Sequence, residues 1–198
     1  MSARHGGWMQ TFTGRAFYPL DPRPEDIDPR DIAHALSMLC RYGGHVRRFY
    51  SVAEHSWLLS HAVSPENALW ALLHDASEAY LVDLPRPIKH SPGLEAYRAA
   101  ESRLMVAVAE RFGLSLPEPL EVAECDTRIL LDERAALLAS PPQAWGPEIE
   151  TLPPLGVQIR AFDPAFAEMV WLERLDDLTR AASKSRPVPS LGEVENLS

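Results

Sequence analysis

At Ser64-Pro65, Ser91-Pro92 and Asp163-Pro164 a small polar residue stands directly before a proline at the head of an apolar-periodic stretch. A side-chain oxygen in that place accepts from the free amides of a helix's first turn. Proline suits the position after it, because the amide it lacks would have no partner there. A fourth start, Ser51-Val52-Ala53-Glu54, has the form of a capping box, in which hydroxyl and carboxylate satisfy each other's backbone N–H groups. With 18 prolines among 198 residues, these starts commit the chain to helices cut by proline loops and leave little room for a sheet.

Apolar spacing fills in the segments. From Asp31, residues Ile32, Ala35, Leu36, Leu39 and Cys40 recur at helical intervals until Gly43-Gly44. The capping-box helix runs through Trp57, Leu58 and Leu59 to about Ala62. A third helix carries Leu69, Leu72 and Leu73 and delivers His74-Asp75-Ala76-Ser77-Glu78 near its C-terminal end. After the proline loop 81–89, a fourth continues through Leu94, Tyr97, Glu101, Leu104, Val108 and Phe112 to Gly113. The fifth, roughly 119–139, sets Ala123, Asp126, Ile129, Leu130, Glu133 and Leu137 on one side. Residues 141–162 read as a proline-rich loop with a short extended piece at 156–159, and a last helix carries Phe166, Met169, Val170 and Leu178. The expectation is an all-α helical bundle over 30–182. It is preceded by a proline-rich arm (1–29) and followed by a polar, disordered tail (183–198) with almost nothing to bury.

Bulk properties exclude several classes. A formal net charge of −9 disfavours a nucleic acid polymer as partner, since neutralising many phosphates needs a basic surface. A small phosphorylated ligand needs only a few local cations and stays open. The apolar run 68–73 is far too short to cross a bilayer, and no charged-then-apolar leader opens the chain. Two distant cysteines, Cys40 and Cys125, read as reduced core thiols rather than a disulfide framework. These features point to a cytoplasmic protein.

The chemistry gathers at His74 and Asp75. Neighbouring residues on a helix point about 100° apart, so both can border a groove where helices meet. Glu78, at i+4 from the one and i+3 from the other, covers the same patch. His55 from the preceding helix and Asp126 from a later one would complete a set of two imidazoles and two carboxylates. Such a set suits one divalent transition metal ion (Mn, Co, Fe, Ni or Zn, with Mg admissible) better than calcium. A bare His-Asp pair, by contrast, is common in proteins without any metal.

Ser51-Val52-Ala53-Glu54-His55-Ser56, His74-Asp75-Ala76-Ser77-Glu78, Asp83-Leu84-Pro85-Arg86-Pro87-Ile88-Lys89 and Glu124-Cys125-Asp126 occur here in order. Together they resemble the small HD-domain phosphohydrolases, in particular bacterial 5′-deoxynucleotidases and phage deoxynucleotide triphosphohydrolases. The resemblance covers roughly residues 30 to 138. It implies an α-helical HD fold, a metal-dependent phosphohydrolase, and His55, His74, Asp75 and Asp126 as the metal ligands. The Gly-Tyr-Pro motif of cyclic dinucleotide phosphodiesterases is absent.

Phosphoester hydrolysis needs an activated water, stabilised phosphoryl oxygens and a proton for the leaving oxygen. Glu78 is the candidate to position or deprotonate the water. Asp83 is a candidate acid or water-orienting group, with a plain loop or cap role as the alternative. By resemblance Arg41 corresponds to a phosphate-binding arginine, a role its planar guanidinium suits. Arg47, Arg48, Arg86 and Lys89 add cations near the same motifs. Tyr42 stands where the deoxynucleotidases carry a sugar-reading Trp, which leaves deoxy selectivity open. Substrate contacts are therefore expected from Arg41, Tyr42, Lys89 and Arg86. The expected substrate is a nucleotide, first a (deoxy)nucleoside 5′-monophosphate. Release of triphosphate from a deoxynucleoside triphosphate and a non-catalytic nucleotide-binding module are the alternatives. His34 reads as facing the site or as a satisfied buried histidine. Trp57, Trp70 and Trp171 read as core or interface. The apolar side chains Phe166, Val170 and Trp171 suit either a homodimer contact or packing over the core.

Overall fold

In the computed structural model, which describes residues 3–185, local chemistry starts and stops the helices. Asp28 caps the first, α1 (Pro29–Met38), by accepting from the Arg30 amide at 3.0 Å. The chain then passes through a tight turn, Arg41–Gly44, where Tyr42 and Gly43 adopt φ of 58° and 59°. Helix α2 (Val52–Ala62) begins as its sequence predicts, with Ser51 Oγ accepting from the Glu54 amide at 3.1 Å.

The second half of that capping box is not made. Glu54 Oε1 accepts from the amides of Arg160 and Ala161 at 2.8 and 2.9 Å, and Oε2 from that of Phe162 at 2.6 Å. Glu54 is fully buried, and three convergent N–H donors are a better match for its charge than one amide of its own turn.

Two of the three proline starts lie a turn early. Ser64 donates its amide and hydroxyl to Glu121 at 3.0 and 2.5 Å, and α3 (Ala68–Leu73) begins only after Asn67. Ser91-Pro92 likewise stands in a turn ahead of α6 (Glu95–Phe112), which stops on Gly113 at φ 69°. Between α3 and α6 lie two single-turn helices, α4 (Glu78–Leu81) and α5 (Arg86–Lys89). Asp163-Pro164 behaves as expected, Asp163 Oδ1 accepting from the Phe166 amide at 3.1 Å to open α9 (Pro164–Ser185). Helix α7 (Leu120–Leu137) and the short α8 (Pro147–Glu150) complete the set. The tail expected from residue 183 starts inside α9, and the rest of it lies outside the described residues.

The described residues are predominantly helical, with one two-stranded antiparallel ribbon among them, β1 (Met9–Gln10) and β2 (Ala16–Phe17), paired Met9 to Phe17 and Gln10 to Ala16. This ribbon lies in the stretch expected to be a loop or arm. It pins that stretch to the helices by burying Phe17, which stacks on Tyr80 at 3.9 Å.

Helix α2 sits centrally, packed against α1, α3, α7 and α9. Val52 and Ala53 join one apolar cluster with Ile32, Leu36, Leu72, Leu104 and Trp171. Leu58 and Leu59 join a second with Tyr50, Trp70, Ile129 and Leu137. A helix surrounded in this way is interior on nearly every side, so His55 and Ser56 are as buried as its leucines. Trp171 is fully buried in the first cluster and Phe166 packs on Phe162, so Trp171 offers nothing to a partner chain. Cys40 and Cys125 are both free thiols. Among the described residues no helix is long and apolar enough to cross a membrane.

Candidate metal centre

Three helical segments meet at one point. Helix α2 contributes His55, the chain just past α3 contributes His74 and Asp75, and α7 contributes Asp126. His55 Nε2 lies 3.2 Å from His74 Nε2 and 3.2 Å from Asp126 Oδ1, and His74 Nε2 lies 3.1 Å from Asp75 Oδ2. His55 Nε2 lies 3.7 Å from Asp75 Oδ2 and His74 Nε2 3.9 Å from Asp126 Oδ1, and His55, His74 and Asp75 lie close enough to one another to hold one ion. Two ligand atoms ~2.1 Å from a common ion and at right angles to each other would be ~3.0 Å apart. The shorter three distances match that spacing.

The second nitrogen of each ring decides which atom faces inward. His74 Nδ1 donates to the carbonyl of Ala71 at 2.8 Å, and a carbonyl can only accept. His55 Nδ1 lies 2.7 Å from Glu133 Oε1. With Nδ1 engaged in this way, each ring turns its Nε2 toward the other ring and toward two carboxylates, where a neutral imidazole has a lone pair to give a cation. The proton affinities reflect the same field. Burial opposes charge on His74, yet Asp75 and Asp126 hold its pKa up at about 10. His55 is also raised, Glu133 and Asp126 outweighing burial and Arg41. The Asp75 and Asp126 carboxyls lie far below the ordinary range: despite burial, His74 lowers the first and His55 the second. A divalent ion fits this donor set.

Glu133 was anticipated only as a position on the inner side of its helix. It is completely buried and gathers His55, the Tyr50 hydroxyl at 2.9 Å, the Tyr42 hydroxyl at 2.5 Å and Arg41 at 3.4 Å. Burial alone would raise its pKa, but Arg41 and His55 hold it at about 2. The one available sequence signal was its place two turns after Asp126, an acid within an apolar stripe.

Glu78 does not continue the helix of His74. Residues 74–77 tighten into a turn in which the Ala76 amide reaches the Leu73 carbonyl and the Glu78 amide the Asp75 carbonyl, both at 2.9 Å. Its carboxyl is 4% exposed, with Oε2 lacking any hydrogen-bond partner. Burial, then the charges of Asp75 and Asp83, push its pKa up to about 9. Asp83 is raised too, by burial and then Asp75. Carboxyl groups in such surroundings hold protons more strongly than exposed ones and are suited to moving them.

A cleft of about 740 Å³ opens onto the centre, lined by Arg41, Tyr42, Asp75, Glu78, Asp83, Arg86, Lys89 and Asp126 among others. Arg41 is 9% exposed, with long contacts of 3.4 Å to Asp75 and Glu133 and an unpartnered Nε. Arg86 pairs with the second oxygen of Asp126 at 2.7 Å, and Lys89 with Glu101 at 2.7 Å and Glu78 at 3.5 Å. Arg47 and Arg48 are exposed and do not line the cleft. Tyr42 lines the cleft, and its hydroxyl donates to Glu133. His34 is elsewhere, stacked on Phe12 and 3.0 Å from Glu168. Two further cleft residues, His90 and Trp145, carried no recognisable pattern in the sequence.

No family model matches the chain. It is 35% identical over 173 residues to the uncharacterized protein YfdR of Escherichia coli (strain K12), covering 87% of this chain and 96% of that one. It is also 40% identical over 127 residues to an uncharacterized protein of Rhodobacter capsulatus, covering 59% of this chain and 64% of the other. At that identity and near-complete overlap with the first, the chain belongs to the YfdR family.

Proposed function

We propose that this protein is a metal-dependent phosphohydrolase of the HD-domain type that removes the phosphate from (deoxy)nucleoside 5′-monophosphates. The observation that carries this reading is the convergence of His55, His74 and Asp75, close enough in every pair to hold one ion, with Asp126 Oδ1 3.2 Å from His55 and 3.9 Å from His74, beside a cleft lined by Asp75, Asp126, Arg41 and Glu78.

When bound, a divalent ion supplies Lewis acidity to a phosphoryl group and to water. The chain's own residues do the rest. Arg41 presents a guanidinium edge that is only weakly engaged by Asp75 and Glu133, and it takes the phosphate oxygens. In its ionised form, Glu78 positions the attacking water and accepts its proton at Oε2, an oxygen with no other partner. The P–O ester bond breaks as the new P–O bond forms, and Asp83 orients water or returns a proton to the departing sugar oxygen. Arg86 and Lys89 hold Asp126 and Glu78 in position.

That division of labour favours one phosphate over three. Of the three cleft cations considered, two are taken up by carboxylates at 2.7 Å, which leaves too little positive charge for a triphosphate. The test is metal analysis of the purified protein, followed by a hydrolysis screen of mono- and triphosphates with Mn, Co, Fe, Ni, Zn and Mg. Inorganic phosphate from monophosphates is the expected product. Triphosphate release from deoxynucleoside triphosphates would replace the reading with its closest alternative. Nucleotide binding without turnover, indifferent to Glu78→Gln, would make the protein a non-catalytic module.

A further inference from the structure

The cleft is much larger than a phosphate, and much of its lining is apolar. Of the protein's five tryptophans, Trp70 and Trp171 are buried, Trp57 packs on Phe162 and Trp8 is exposed beyond the ribbon. Trp145 alone lines the cleft, together with Leu84, Leu130, Pro142 and the buried Ile149.

The loop that carries Trp145 is held at several points. The Trp145 amide donates to Glu150 Oε1 at 3.1 Å. Glu150 in turn takes a two-pronged contact from Arg134 of α7 at 2.5 and 3.2 Å. The Arg134 guanidinium lies 5.1 Å from the Trp145 ring centroid, a cation–π contact that fixes the indole from one side. Gly146 follows with φ 132°, a backbone conformation that side chains rarely adopt, so the turn that presents the indole favours glycine. Tyr42, which reaches Glu133 and so the metal-facing end of the cleft, has its ring centroid 6.1 Å from that of Trp145.

A half-buried indole, held by an arginine and a backbone anchor to Glu150, makes a low-entropy stacking surface. An inorganic phosphate or a small sugar phosphate has nothing to place against it, whereas a planar heteroaromatic ring does. We propose that Trp145 is the nucleobase platform of this cleft, with the base against the indole and the phosphate at Arg41. The inference rests on the phosphohydrolase reading for the phosphate end alone.

Hydrolysis of a nucleoside 5′-monophosphate and of ribose 5-phosphate is compared in wild type, Trp145→Ala and Trp145→Phe. Base stacking is worth ~1–3 kcal/mol, and each ~1.4 kcal/mol is tenfold. Trp145→Ala should therefore raise KM for the nucleotide roughly 5- to 100-fold, leave ribose 5-phosphate unchanged, and be largely rescued by Phe. Equal losses on both substrates, or none on the nucleotide, would overturn the platform. Calorimetric binding of a nucleoside without phosphate separates the two ideas. If no phosphate ester is cleaved, the hydrolase reading fails, while weaker nucleoside binding by Trp145→Ala still supports the platform and unchanged binding overturns it.

Discussion

Glu133 Oε1 lies 2.7 Å from Nδ1 of His55, on the opposite side of the imidazole from the nitrogen that meets His74 and Asp126. A buried carboxylate so placed fixes the ring's tautomer and its rotation and makes the inner nitrogen a better donor. Losing such a partner commonly weakens metal binding 10- to 100-fold. Glu133→Gln, which keeps an acceptor but removes the charge, is expected to weaken divalent-metal affinity by about that factor with the fold intact. Metal titration checks it, and unchanged affinity would mean that packing alone orients His55.

The ligands and the base separate under mutation. His74→Ala and Asp75→Ala should lose metal and hydrolysis together, whereas Glu78→Gln should keep stoichiometric metal and lose ~10²-fold or more in kcat. Elemental analysis beside kinetics reads both, and stoichiometric metal retained in either ligand variant refutes the assignment.

Asp28 makes stability depend on acid. The Arg30 side chain holds its carboxyl at about 2 against the opposing effect of burial, below its ordinary 3.8. The folded state therefore gains from the charge at pH above about 4 and loses that gain as pH falls toward about 2. Asp28→Asn preserves a capping oxygen but not the charge. It should cost about 1–2 kcal/mol near neutrality and almost nothing near pH 2. Urea unfolding at the two pH values measures the difference, and a pH-independent cost would contradict it.

Glu54 is the acceptor for three amides of the chain entering α9. Glu54→Ala leaves those donors unmatched beside a cavity and should destabilise the protein by about 2–4 kcal/mol, lowering the melting temperature by roughly 5–10 °C. A loss of less than one degree in calorimetry would rule out the anchor as a stabilising feature.

Val82 adopts φ 64° and is 51% exposed, a conformation costly for a β-branched residue. Relief of that strain is worth about 1–3 kcal/mol, against about 0.5–1 kcal/mol for glycine's added freedom in the unfolded chain. Val82→Gly should raise the melting temperature by roughly 2–4 °C. A fall would mean that the Tyr97 hydroxyl, which donates to the Val82 carbonyl at 2.8 Å, already fully compensates the bend.

Helix existence was legible because it rests on short-range signals, namely apolar spacing, caps and prolines. The exact starts at Ser64 and Ser91 were not, since Glu121 of α7 captures Ser64 from a distance of 57 residues in sequence and no local pattern reports that. Glu54 was misassigned for the same reason. His55, His74, Asp75 and Asp126 were legible through spacing and resemblance, and the fold brings them together. Glu133 and Trp145 were not, because an acid in an apolar stripe and a tryptophan in a proline-rich loop gain meaning only from what they face. Lys89 and Arg86 were legible as neighbours of the centre but not as counter-ions of Glu101 and Asp126.

The turn at 74–77 has a mechanical consequence. Asp75 offers its carboxylate to the centre and its carbonyl to the Glu78 amide, so one residue is both a wall of the proposed ion seat and the hinge pin of the proposed base. Any shift of that seat, as from a larger or smaller ion, is carried straight into the reach of Glu78. On the proposed phosphohydrolase reading, metals of different radius should then differ in turnover more than in affinity, and the choice of ion becomes a tuning parameter for the rate.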